Sequence, residues 1–407
     1  MNAIVAAGQP PVAAAFNTRV AFLLELARRL HQYGTAAPRL EVAIDRAARR
    51  LGVQADVWSS PTAIIISFAE IGQGDDEGLA QTTQVMRLSP GDVNLARLCA
   101  ADEIADRVIG GNLDLREGSH LLRALGAPDT RRAKITAVVS YGLSAASIAA
   151  LFLHSSWVDL LVAGFIGTLI GWITILSATR PRLAVASDAI SAMVATTVAI
   201  VVSAFVVPLA IKPVVLAALI VLIPGMSLTT AVREVASGHL VSGMARLGGA
   251  MATLLKLTFG TVAATQVCAA FGIVARDFTL PPLPSWTDWP ALLVAAIAFA
   301  MLFRAARRDW PAVVLAVIAG YLATRWGGEI PSRLPGAPVG VFIGGLLVGA
   351  LANLYARIAK RPGAVIREPG ILLLVPGSVG FRSVSFLLDR DTSLGMDTAL
   401  LLLTLLV

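Results

Sequence analysis

Two Pro-Gly dipeptides interrupt long apolar stretches of this 407-residue chain, at Pro224-Gly225 and at Pro376-Gly377. Proline removes a backbone donor and glycine loosens the backbone, so each dipeptide predicts a broken helix. A half-helix that starts after such a break presents free N–H groups and a positive dipole end, which favour an anion such as a carboxylate. The two breaks together therefore predict a binding site for a small carboxylated or zwitterionic solute.

Side chains that can bind a polar solute follow both dipeptides. They are Ser227, Thr229 and Thr230 in the first stretch, and Ser378, Arg382 and Ser383 in the second. For one dipeptide alone we would favour a plain proline kink, with hydroxyls satisfying the freed carbonyls. Two dipeptides at matching positions favour a binding site, as in transporters built from repeats with discontinuous helices.

Ionisable residues within apolar stretches are costly, so each is a functional candidate. Lys256 lies deepest and is predicted to face a substrate carboxylate or to pair with an acid. Asp188 is a candidate proton carrier or a headgroup-level aspartate, and Glu234, next to Arg233, is a candidate gate ion pair or an interfacial residue. Asp159 is predicted to be interfacial.

The composition places the chain in a bilayer. Hydrophobic residues make up 56% and charged residues only 14%, against about 25% charged in soluble domains. Residues 1–130 carry a net charge of −3 and residues 131–407 a net charge of +10. The basic residues of the second part lie at the edges of apolar stretches, which indicates membrane topology rather than nucleic-acid binding.

Ten apolar stretches follow the first 130 residues, and most are long enough to cross ~30 Å of hydrocarbon. They form two sets of five related by an offset of 152 residues: 135–154, 157–178, 183–208, 214–232 and 245–272, then 288–304, 310–326, 338–358, 366–386 and 396–407. An odd number of spans per set predicts inverted repeats. With the first domain inside, 14 basic residues lie at inner edges and 6 at outer edges, so that domain is predicted to be cytoplasmic. The last stretch is short, and either a truncated chain or a half-span would explain it.

The predicted fold class is an α-helical polytopic membrane protein preceded by a small α+β domain. The predicted parts are a disordered leader (1–16), the α+β domain (17–130), repeat 1 (131–272) and repeat 2 (273–407). Within the α+β domain we predict helices over 20–30 and 38–51, strands over 53–58, 62–68 and 82–88, a helix capped by Asp92 and ending at Ile109, and a last helix over 113–125. We find no catalytic constellation, metal site or cofactor motif, so an enzyme is not predicted.

The motif that begins at Pro224-Gly225, continues through Ser227 to Glu234 and includes Gly238, Gly243 and Arg246 resembles the signature of the threonine/serine exporter family. The segment 374–383 resembles that family's second conserved segment, and residues 91–98 extend the likeness to the first domain. The chain departs from the family pattern at Thr230, Glu234 and His239. The resemblance implies ten spans, a cytoplasmic N-terminal domain, and proton-driven export of small hydroxy amino acids.

The leading functional hypothesis is therefore a secondary exporter of threonine and serine in the cytoplasmic membrane, with a small amino acid, protons and lipid as partners and a homo-oligomer left open. An exporter of small dicarboxylates such as succinate is the alternative within the same class. A membrane-anchored hydrolase or a ligand sensor is the alternative from another class. No Walker-type nucleotide motif occurs, which argues against a primary pump.

Overall fold

A computed structural model of the chain describes residues 14–70, 82–153, 155–276, 278, 281–329, 339–374, 397–398 and 401. The backbone divides into two compact units. The first, called here the N-terminal unit, comprises residues 1–128, 230–246 and 359–362. The second unit comprises residues 129–229, 247–358 and 363–407. The N-terminal unit therefore includes a segment from the middle of the chain, residues 230–246.

The N-terminal unit is an α+β structure whose elements follow the predicted order. They are α1 (Phe16–Gln32), α2 (Ala37–Arg50), β1 (Val53–Ser60), β2 (Ala63–Glu70), β3 (Thr82–Arg87), α3 (Leu95–Ile109) and α4 (Leu115–Ala124). The strands form an antiparallel sheet in the order β1-β2-β3. On β2, Ile64, Ile66 and Phe68 are fully buried, as expected for the inner face of a strand with period two. Helices α1 and α2 contact β1, and buried side chains of α1 to α4 complete the core.

The cap of α3 differs from the prediction. Asn94, not Asp92, is the N-cap, because its side chain accepts the Arg97 N–H at 3.1 Å and its backbone is extended. The preceding Gly91 lies against the end of α1, where an added Cβ would collide with the carbonyl oxygen of His31. The Gly-Asp-Val-Asn sequence thus carries the chain closely past α1 before Asn94 starts the helix.

The described part of the second unit is mainly helical, and two of its helices are shared with the segment 230–246, in which α9 ends and α10 begins. The helices are α5 (Arg131–Phe152), α6 (Trp157–Ser177), α7 (Pro181–Phe205), α8 (Ile211–Leu219), α9 (Gly225–Ala236), α10 (Leu240–Ala270), α11 (Asp288–Leu302), α12 (Trp310–Gly328), α13 (Val339–Ala359) and α14 (Ala364–Leu372). Among the described residues, seven helical segments are long and apolar enough to cross a membrane. They correspond to the predicted spans one, two, three, five, six, seven and eight. The predicted fourth span consists of two shorter helices, α8 and α9, in agreement with the break predicted within it.

Helix α8 is the buried centre of the second unit. Residues Val214 to Leu219 are all at most 7% exposed, and α8 contacts α5, α6 and α7. Helices α5 and α6 approach closely at Gly167, where an added Cβ would lie 2.7 Å from the Ala145 Cβ. Small residues permit such close contacts between membrane helices.

Asp159 has a larger role than the predicted interfacial one. It is 1% exposed and forms a capping box with Ser156 at the start of α6. Its other carboxylate oxygen accepts the N–H of Ala210 at 3.0 Å, and Ala210 is the N-cap residue of α8. One buried carboxylate therefore fixes the starts of two helices, including the helix that leads to the Pro-Gly break.

Candidate functional site

The first Pro-Gly dipeptide breaks the backbone as predicted. Helix α8 ends at Leu219, and α9 begins at Gly225 after a short turn. The first hydrogen bond of α9 runs from the Leu228 N–H to the Pro224 carbonyl at 3.0 Å. Gly225 is buried, and its own N–H is held by the Ile223 carbonyl at 2.8 Å. The dipeptide thus places a helix N-terminus shortly after the buried C-terminal part of α8.

The three hydroxyl groups after the first dipeptide, predicted to bind the solute, differ in their hydrogen bonds within the protein. Thr229 donates to the Gly225 carbonyl at 3.1 Å, so this hydroxyl satisfies the backbone of the first turn. Ser227 and Thr230 are half-buried, and neither hydroxyl has a hydrogen-bond partner among the residues that the structure describes. Of the three, Ser227 in the first turn of α9 is therefore the one best suited to bind a solute.

Lys256 on α10 and Asp188 on α7 form an ion pair, with Nζ 3.7 Å from Oδ2. Their side chains are 41% and 24% exposed, so neither is locked in a dry core. One turn along α10, Gly260 lies so close to α7 that an added Cβ would collide with the Ala189 carbonyl oxygen. The close helix contact explains how a long lysine reaches a short aspartate. Two of the predicted candidates are thereby brought together.

The candidates of the second Pro-Gly segment lie outside the described residues. They are Pro376, Gly377, Ser378 and Arg382. The described part of this region ends with α14, which carries Pro369 inside it, and with Leu373 and Leu374. The pairing of the two breaks at one site therefore stays a prediction.

Glu234 lies at the centre of a hydrogen-bond network within the N-terminal unit. Its side chain is fully buried, and Arg246 holds both carboxylate oxygens with its Nε and a terminal nitrogen, at 3.1 and 3.2 Å. Ser242 donates to Oε2 at 2.9 Å, and the Ala37 N–H donates to Oε1 at 3.1 Å. Glu234 thus accepts four hydrogen bonds, two of them from the guanidinium of Arg246. Such a bidentate, charge-assisted interaction is both strong and geometrically specific.

The bond from Ala37 gives Glu234 a second role. Ala37 is the first residue of α2, whose N-cap residue, Ala36, supplies no side-chain hydrogen bond. The first N–H groups of a helix lack intrahelical partners and carry a partial positive charge. Glu234, 197 residues further along the chain, therefore caps α2.

A second contact joins α2 to the turn between α9 and α10. His239 Nε2 lies 2.9 Å from Oε2 of Glu41, and the other Glu41 oxygen accepts the Ser59 N–H at 2.8 Å. The turn itself requires glycine at 238, which has φ +84°. The segment 230–246 therefore contacts α2 at two places. Glu234 of the segment accepts the N–H of Ala37, and His239 of the segment contacts the Glu41 carboxylate.

Sequence reasoning identified only part of this network. Glu234 was a candidate because of its position at the end of an apolar stretch, and Arg246 entered as a basic residue at an inner edge and as a member of the motif that resembles the family signature. The pairing of Glu234 with Arg246 could have been predicted from their opposite charges at the facing ends of two adjacent apolar stretches. Nothing in the sequence indicated Ala37, since its contribution is a backbone N–H.

Comparison with known proteins identifies two family models that match this chain. A threonine/serine exporter family model matches residues 21–268, and a second, described as Threonine/Serine exporter, ThrE, matches residues 290–407. Pheromone-regulated membrane protein 10 of Eremothecium gossypii is 25% identical over 89% of this chain and 48% of its own length. The protein of that name from Saccharomyces cerevisiae is 25% identical over 93% of this chain and 50% of its own length.

The chain spans about half the length of these curated relatives. No solved structure matches it. The first family model runs without interruption across α1 to α10, so it covers both the small sheet and the helices around the Pro-Gly break. On these matches, which together cover most of its length, the chain belongs to the threonine/serine exporter family.

Proposed function

We propose that this protein is a secondary exporter of small hydroxy amino acids, threonine and serine, driven by inward movement of protons. It would lie in the cytoplasmic membrane as ten spans in two inverted repeats, with the N-terminal unit in the cytoplasm. The observation that carries the proposal is the helix break at Pro224-Gly225, which follows the buried residues Val214 to Leu219 of α8 and starts α9 at a buried glycine.

The chemistry of the break suits the substrate class. The α-carboxylate of an amino acid would bind at the N-terminus of α9, where the helix dipole favours an anion. The Ser227 hydroxyl, free among the described side chains, is available to the hydroxyl or ammonium group of the substrate. The second Pro-Gly segment would approach from the other repeat, and rocking of the repeats would expose the site alternately.

Among the described residues, an arrangement of Ser237, His239 and Glu41 resembles a catalytic triad, but it supports a hydrolase poorly. Ser237 contacts His239, and His239 contacts Glu41. Ser237 Oγ lies 3.1 Å from His239 Nδ1, and His239 Nε2 lies 2.9 Å from Glu41 Oε2. The Ser237 hydroxyl, however, also donates to the Glu234 carbonyl at 3.0 Å and lies at the C-terminal end of α9. Helix C-termini carry partial negative charge and would destabilise an oxyanion. Membership of a transporter family points the same way.

The test is efflux from cells preloaded with a dipeptide that contains threonine or serine, with and without a protonophore. We expect faster efflux from cells that express the chain than from cells that lack it, and loss of the difference with the protonophore. Equal efflux from both kinds of cell would overturn the amino-acid assignment. A parallel measurement with succinate tests the dicarboxylate alternative.

The Lys256–Asp188 pair gives a specific prediction about coupling. If Asp188 carries the proton, Asp188→Asn should leave residual efflux that no longer responds to the protonophore. Lys256→Gln should lower efflux by at least about tenfold, because it leaves a carboxylate unpaired among apolar helices. Protonophore sensitivity retained in Asp188→Asn would assign the proton to another residue.

A further inference from the structure

Exposed basic side chains gather where the start of α5 lies next to the end of α11. They come from the first four residues of α5 and from the short turn between α11 and α12, and they are Arg131, Arg132, Lys134, Arg307 and Arg308. We call this set the basic surface. All of its residues belong to the second unit.

One ion pair holds the two parts of the basic surface together. Nη1 of Arg304, just after α11, lies 2.7 Å from Oδ2 of Asp129, just before α5. Arg304 adopts the left-handed conformation with φ +52°, which is unusual for a residue with a side chain. In the same turn, buried Asp309 accepts a hydrogen bond from the Tyr355 hydroxyl at 2.9 Å. The basic surface therefore rests on a fixed framework.

The basic surface has little countercharge nearby. Within the described ranges, Arg131, Arg132, Lys134 and Arg307 have no acidic partner, and Asp129 is already bound by Arg304. The first turn of α5 contains no acidic residue, although the positive end of a helix dipole favours acids and disfavours cations. Because these like charges repel one another, an anion from outside the chain would stabilise the arrangement.

The residues that follow along α5 indicate which kind of anion fits. Ile135 and Val139 follow Arg131 at intervals of four, so the three lie along one face of the helix. Both apolar side chains are exposed, at 47% and 41%, and α5 is long and apolar enough to cross a membrane. An anion that carries a hydrocarbon chain matches both parts of this face. A free phosphate or an acidic protein segment would match the cations alone.

We propose that the basic surface binds the headgroup of an anionic phospholipid, with an acyl chain along Ile135 and Val139. Clusters of cations beside membrane helices attract such headgroups. Because its cations come from α5 and from the turn after α11, one bound headgroup braces the packing of α5 on α11. These helices are the first spans of the two predicted repeats, so the lipid stabilises a contact between repeats whatever solute the protein carries.

Native mass spectrometry of the full chain in detergent tests the site. The probes are phosphatidylglycerol, which is anionic, and phosphatidylcholine with the same acyl chains, which carries no net charge. We expect phosphatidylglycerol to bind at least about tenfold more tightly, since each nearby cation is worth about fivefold in affinity. Arg131→Gln combined with Arg132→Gln should therefore weaken phosphatidylglycerol binding about 25-fold. Equal binding of the two lipids by the native chain would overturn the proposal.

Arg180→Gln combined with Arg182→Gln is the matched control, because it removes two exposed cations from the start of another span, α7. This double variant should keep the native preference for phosphatidylglycerol. Equal losses in the two double variants would show a general effect of charge and would overturn the specific site.

Two further measurements test the parts of the site separately. Arg307→Gln leaves α5 unchanged and should weaken phosphatidylglycerol binding about fivefold; unchanged binding would remove the α11–α12 turn from the site and overturn the bridging role. Inorganic phosphate at the concentration of the lipid should not displace phosphatidylglycerol. Displacement would show that the acyl chain contributes nothing and would overturn the assignment to a lipid.

Discussion

Arg246→Ala is expected to destabilise the N-terminal unit by about 3–5 kcal/mol, the cost of leaving a buried carboxylate without its cation. Glu234 is 0% exposed at its side chain, so water cannot replace the guanidinium without opening the structure. The loss should be measured as faster native-state hydrogen exchange in the amides of α2, which Glu234 caps. Exchange in α5 and α6 should change little, because Asp159 and glycine contacts of the second unit hold these helices.

Two further variants separate charge from geometry. Arg246→Lys keeps the charge but cannot hold both oxygens, and should fall between the native chain and Arg246→Ala. Glu234→Gln combined with Arg246→Ala removes the unpaired charge, so this double variant should be more stable than Arg246→Ala alone. Equal exchange in α2 for the native chain and Arg246→Ala would contradict the role assigned to Glu234.

Gly225→Leu is expected to reduce export by at least about tenfold while the protein still inserts and folds. Gly225 is buried at the first position of α9, so the added volume of a leucine side chain would have to displace neighbouring groups at the helix N-terminus where substrate is proposed to bind. Export should be measured as efflux from preloaded cells, and insertion as the amount of protein in the membrane fraction. Gly377→Leu tests the second dipeptide in the same assay.

Gly249→Leu is the matched control. Gly249 lies on α10, is exposed, and a Cβ added there would meet no described atom within 4 Å. The same glycine-to-leucine change should therefore leave both insertion and efflux close to those of the native chain. Normal efflux with Gly225→Leu would place the substrate site elsewhere, whereas loss with both variants would indicate a general effect of leucine on the helices.

Structural elements that are determined by residues close together in the sequence could be predicted. The period-two pattern of β2, the apolar face of α1 and the break at Pro224 each follow from residue types within a few positions. Element ends were less accurate, as at α3, where Asp92 and Asn94 are both good caps and only the path around Gly91 decides between them. The seven long apolar helices could be predicted from hydropathy, because crossing a bilayer requires a helix of a minimum length and of apolar composition.

Contacts distant in sequence were not predictable in this way. A buried aspartate such as Asp159 and an interfacial one have the same hydropathy context at a helix start, and the difference is the Ala210 N–H that only the fold supplies. The partner of Glu234 on α2 is likewise a backbone group. Lys256 was predicted to face a substrate carboxylate or to pair with an acid, and its pairing with Asp188 depends on the close approach of α10 to α7.

The cap that Glu234 places on α2 also orders events during synthesis. The donor at Ala37 leaves the ribosome 197 residues before the acceptor, a delay of about 10–40 s at ordinary rates of translation. Until then the start of α2 lacks its carboxylate, and the acceptor arrives only after α5 to α8 have been made. The N-terminal unit can therefore complete its structure only after α5 to α8 have been synthesised, although its own first elements leave the ribosome before them.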